Sequence, residues 1–150
     1  MKTLWLYKWI TGSYSAFAKP FRDNETLSKQ AREFWTELDH TALLLFIGAL
    51  VIGALIAVYY YTLYNQKAGR RYQPKLWWMW LLITVVAILT LTIGAEIWIA
   101  KPQLDGAVWL ELRIAFANAL YAFGAFLFIS FLWCNLGWQT NAYRYLKLKK

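Results

Sequence analysis

Residues 76–100 read LWWMWLLITVVAILTLTIGAEIWIA, with Glu96 as the single ionisable side chain. A bilayer's hydrocarbon core is about 30 Å thick and asks for roughly 20 consecutive apolar helical residues, and this stretch supplies them. Residues 41–63 and 108–137 are two more runs of the same kind. The fold class expected is therefore an all-α integral membrane protein, one membrane domain over residues 1–150 with three transmembrane helices at 41–63, 76–100 and 108–137. With 60% of residues hydrophobic and 16% charged, little remains for a soluble core.

Aromatic and basic residues bracket the runs at matching depths. Tyr59, Tyr60, Tyr61 and Tyr64 close the first, and Trp77, Trp78 and Trp80 open the second. Between them, the linker 65–75 carries Lys67, Arg70, Arg71 and Lys75 with the turn-forming Pro74. Trp98 and Trp109 flank the short loop 101–107, and Trp133, Trp138, Tyr143 and Tyr145 return the chain to the first belt. From Trp80 to Trp98 a helix rises about 27 Å, close to the hydrocarbon thickness. From Trp109 to Trp133 the rise is about 36 Å, so the third span is expected to tilt or protrude.

Upstream, residues 1–22 form an aromatic and basic segment with Trp5, Tyr7, Trp9, Tyr14 and Phe17, suited to the headgroup boundary or to a neighbouring subunit. It imitates a signal peptide, but Lys8 interrupts its short apolar run, so it is read as retained. After Lys19-Pro20, Asp23 or Asn24 can cap a helix over 24–40. Its apolar residues Leu27, Ala31, Phe34, Trp35 and Leu38 recur at three-to-four spacing, opposite Lys29, Arg32, Glu33, Glu37 and Asp39. This predicts an interfacial amphipathic helix that lies on the membrane or docks a partner before the chain turns into the first span.

The net charge of +8 would suggest nucleic acid in a soluble protein; beside membrane spans it reads instead as topology and attraction to anionic lipid. Arg70, Arg71, Lys147, Lys149 and Lys150, in the linker and in the tail 138–150, are the candidate headgroup contacts. Lipid is thus the expected partner, together with other membrane subunits or copies of the chain, and nucleic acid is not. Basic residues around the spans favour a cytoplasmic C-terminus and an outside N-terminus, with a bacterial inner (plasma) membrane as the default location.

Ionisable groups inside spans are expensive and are candidate functional sites. Glu96 and Arg113 fall at similar depth on antiparallel helices and could clamp them as an ion pair, while Glu96 or Glu111 could instead rim a cation path or join a proton relay. Glu111, Ala115, Asn118, Ala122 and Ala125 share one face of the third span, a small and polar stripe that suits helix packing or a water-lined path. Ala49, Gly53 and Ala57 form a small-xxx-small pattern that lets helix backbones approach closely. His40 reads as an interfacial polar residue and Cys134 as a core residue.

One His and one Cys leave no bis-histidine haem site, no cysteine metal cluster and no intrachain disulfide. No phosphate loop, hydrolase triad or HExxH is present, so neither a catalytic role nor a cofactor is expected. The expected function is a non-catalytic subunit of a larger membrane complex. The alternative is a homo-oligomeric pore or channel, including a membrane-permeabilising effector; small size, three spans and a basic C-terminus give a general likeness to holins.

Overall fold

The computed structural model describes residues 4–70, 73–99, 104, 107–136 and 143–148. A 3₁₀ turn (Leu4–Tyr7) leads into two short helices, α1 (Lys8–Thr11) and α2 (Tyr14–Phe17), and a second 3₁₀ turn (Lys19–Phe21). Three long helices follow, α3 (Glu25–Tyr59), α4 (Pro74–Ile99) and α5 (Val108–Asn135), and then the short α6 (Tyr143–Leu146). No strand occurs among the described residues, and the three long helices are long and apolar enough to cross a membrane.

The surface helix and the first span expected from sequence are one element. Asn24 caps it, its Oδ1 accepting from the backbone N–H of Thr26 (3.0 Å) and Leu27 (3.3 Å). No Gly or Pro interrupts residues 25–47, and the Thr41 hydroxyl donates back to the Glu37 carbonyl at 3.0 Å, so nothing favours a turn at residue 40. The 35 residues of α3 rise about 52 Å, well beyond the hydrocarbon thickness. Helix α4 opens on Pro74, where a missing N–H costs nothing, two residues before the expected start. Helix α5 ends at Asn135; the expected limit, Gly137, lies outside the described residues.

Contacts divide the chain into two compact units, Met1–Gly48 with Leu89–Asn118, and Ala49–Ile88 with Ala119–Lys150. In the first, the N-terminal segment covers the apolar face of early α3. Phe17 stacks on Phe34 (ring centroids 6.0 Å apart) and packs against Trp35 (5.3 Å), while Tyr14 meets Trp35 edge-on (5.6 Å). Ala31, Phe34 and Leu38 are buried. The face expected to rest on lipid is therefore occupied by the chain itself. Residues 1–3 lie outside the described set.

The second unit is held by small residues and aromatics. A Cβ on Gly53 would stand 2.6 Å from the Ala122 carbonyl oxygen and 2.9 Å from its Cα, so only glycine permits this approach of α3 to α5. Ala49 and Ala57 are buried on the same side of α3, which makes the small-xxx-small pattern a contact within the chain. At Tyr60–Tyr64 the helix widens into a π turn, closed by Asn65 N–H donating to the Tyr60 carbonyl at 2.7 Å. The turn carries Tyr60 and Tyr61 into a core with Trp77, Leu81, Phe126 and Cys134. Tyr61 stacks on Trp133 at 5.3 Å, and Trp80 takes Tyr59 (5.5 Å) and Tyr64 (5.1 Å). Part of the expected belt is thus core. Trp98 and Trp109, flanking the other loop, are exposed as a belt requires. At the C-terminal end the Asn135 amide donates to the Leu146 carbonyl (3.0 Å) and accepts from Leu148 N–H (3.0 Å), tying α6 back to α5.

Candidate functional site

The polar residues of the first unit converge on Asn118, which is fully buried. Tyr7, from the N-terminal turn, places its hydroxyl 2.5 Å from Asn118 Oδ1 and 3.3 Å from the Ala42 carbonyl oxygen. A phenol has one proton to give, and the shorter contact takes it. Asn118 Nδ2 in turn donates to Thr92 Oγ1 on α4 at 3.4 Å. One amide thus joins the N-terminal turn to α4 and α5. Two further bonds seat the turn: Leu4 N–H donates to Asp39 Oδ1 (2.6 Å), and the Thr11 hydroxyl donates to the Tyr7 carbonyl (3.0 Å). Tyr7 is fully buried. By sequence Tyr7 groups with the interfacial aromatics Trp5 and Trp9; unlike a purely apolar ring, its phenol wants an acceptor once buried.

One turn beyond Thr92 on α4, Glu96 is 1% exposed and neither carboxyl oxygen has a hydrogen-bond partner. The expected clamp with Arg113 is absent. Arg113 is exposed, on the same outward face of α5 as Trp109, Phe116 and Leu120. Helical phase turns Glu96 into the interior and Arg113 away from it. Glu111 is half-buried and lies within electrostatic range of Glu96. An unpartnered carboxyl in a dry interior costs several kcal/mol, and such a group calls for an explanation. It can take up a cation, a proton or a donor group.

The stripe Glu111, Ala115, Asn118, Ala122, Ala125 faces inward: Ala115, Asn118 and Ala122 are fully buried and the two end residues half-buried. Among the headgroup candidates, Arg70 sits over the Tyr64 ring at 4.3 Å and Lys147 is exposed, while Arg71, Lys149 and Lys150 lie outside the described residues. His40 is exposed and Cys134 buried. No group of three His, Cys, Asp or Glu suited to a metal occurs among the described residues.

Comparison with protein-family models, curated proteins and solved structures finds no match. Function rests on the geometry alone.

Proposed function

We propose that the chain is a non-catalytic integral-membrane subunit of a larger oligomeric complex, with structural and partner-docking roles. The observation that carries this reading is the forward part of α3. Beyond the apolar run that starts near Thr41, α3 continues N-terminally for about 24 Å. Its inner face packs against the N-terminal segment, and its outer face exposes Lys29, Glu33, Glu37 and His40. A rigid ledge of mixed charge adheres poorly to anionic lipid and suits a protein partner. The small, polar stripe of α5 is spent inside the chain, so that face is not free to line a lumen between copies.

The reading puts the chain in a bacterial inner membrane, N-terminus outside and C-terminus cytoplasmic, with anionic lipid at the linker and tail. A pore formed by copies of the chain is the second reading, favoured by Glu96 alone.

Extraction in a mild detergent followed by native mass spectrometry tests the choice. The expected result is other membrane chains at fixed stoichiometry, lost when Glu33 and Glu37 are both changed to Lys. A homo-oligomer that conducts ions in planar bilayers would overturn it in favour of the pore.

A further inference from the structure

The carboxyl of Glu96 is the buried polar group that the packing of the first unit does not account for: the side chain is 1% exposed and neither oxygen has a hydrogen-bond partner. Its level follows from the network beside it. Tyr7 reaches the Ala42 carbonyl on α3 and Asn118 on α5, and Asn118 reaches Thr92 on α4, so these three helix positions stand at one height. One turn nearer the loop 101–107 come Leu38, Ile114 and Glu96. Leu38 and Ile114 are buried, as are Leu4 and Leu110 of the same unit. The helices that flank Glu96 thus present apolar residues at its level.

Charge near this level is sparse. Glu111, half-buried on α5, lies within electrostatic range of Glu96 and has the same sign. Lys8, His40 and Arg113 are exposed, Asp39 on α3 accepts the Leu4 N–H, and the Tyr7 phenol is held by Asn118. Lys101 and Asp105 lie outside the described residues. Among the described residues, then, no cation pairs with Glu96. A carboxylate buried without a counter-charge costs several kcal/mol, whereas the acid form carries no charge and asks for one proton only. A metal ion asks for several oxygen ligands at once, and no group of three His, Cys, Asp or Glu occurs among the described residues.

From this burial and this neighbourhood we infer that Glu96 is a proton-binding site inside the first unit, occupied at neutral pH and exchanging with water, with Glu111 as the like charge that opposes its ionisation. The site lies within one chain. It goes beyond the proposed function and does not depend on which assembly the chain joins.

The test is infrared spectroscopy of the full chain in maltoside micelles, a detergent without carbonyl groups. At neutral pH the parent is expected to show the carbonyl stretch of a protonated carboxyl, and Glu96→Gln to lose it. The amide matches the neutral acid in size and charge, so the variant is expected to fold, and unchanged circular dichroism checks this. In D2O the parent band should shift, because a binding site exchanges its proton with water. Glu111→Gln should lose the band at a lower pH than the parent does, since a like charge has been removed. Carboxylate bands alone in the parent, or a protonated band that survives Glu96→Gln, would overturn the site. A band that stays in place in D2O would overturn the exchange and leave a sealed structural acid. A band that appears only when sodium and potassium are replaced by choline would overturn the proton as occupant and assign the carboxylate to a monovalent cation. The measurements on the parent need no variant, so the inference stays open to refutation even if Glu96→Gln misfolds.

Discussion

Asn118 and Ala122 stand one turn apart on the same face of α5, yet they belong to units held by different physics. Around Asn118 the contacts are directional: a phenol, an amide and a hydroxyl, each bond with one correct partner. Around Ala122 there is only proximity, a glycine backbone pressed against a helix carbonyl, with stacked aromatics elsewhere in that unit. Between lipid-solvated helices apolar burial gives little net drive, so close packing and hydrogen bonds do the holding. The comparison teaches that one small-and-polar stripe can serve both. Packing tolerates no added volume, whereas a hydrogen-bond network tolerates volume but not a lost partner.

Pressing on each unit in turn separates the two, with stability read from denaturant unfolding in detergent micelles. The largest loss is expected from Phe126→Ala, a fully buried ring between Tyr60 and Trp77, at about 3–5 kcal/mol. A loss below about 1 kcal/mol would mean that the aromatic cluster is not a stability core. Next comes Gly53→Ala, which adds a single carbon yet meets backbone; about 1–3 kcal/mol is expected. A neutral result would show α3 and α5 able to separate there.

Asn118→Leu is expected to cost about 1–2 kcal/mol, since membrane hydrogen bonds average well under one each and two are lost. Tyr7→Phe should cost about 1 kcal/mol alone and close to nothing when combined with Asn118→Leu. Additive losses in that double-mutant cycle would break the claim that the two side chains form one network. Smallest of all, Arg113→Ala should stay within about 0.5 kcal/mol, because the side chain is exposed. A loss of about 3 kcal/mol there would restore the ion pair with Glu96.

Much of the fold was legible from the chain. Apolar run length marked the three long helices, and Asn24, one of two candidate caps, announced the start of the first; Pro74 read as part of the linker and proved to open the second. The spacing of Ala49, Gly53 and Ala57 identified a packing face. It could not say which helix would meet it, because a small residue's partner is chosen by shape across the chain. Tyr60 and Tyr61 read as belt rather than core for a related reason: an aromatic near a span end serves equally as either, and the π turn decides between them.

The site was less legible than the fold. Asn118 and Glu96 announced themselves as polar groups in apolar runs, a cost visible without coordinates. Tyr7 did not, because its bond to Asn118 crosses 111 residues of sequence and no local pattern encodes so distant a partner.

By itself, then, the sequence determined the quantities that are summed along the chain: hydrophobic length, charge balance, helix caps and the periodicity of faces. Tertiary structure alone decided the pairings. It placed Tyr7 on Asn118, set Gly53 against Ala122, closed the N-terminal segment over α3, and left Glu96 and Arg113 apart. Those outcomes depend on rotation about helix axes and on contacts between distant segments, and a single turn of phase changes them while leaving every local signal as it was.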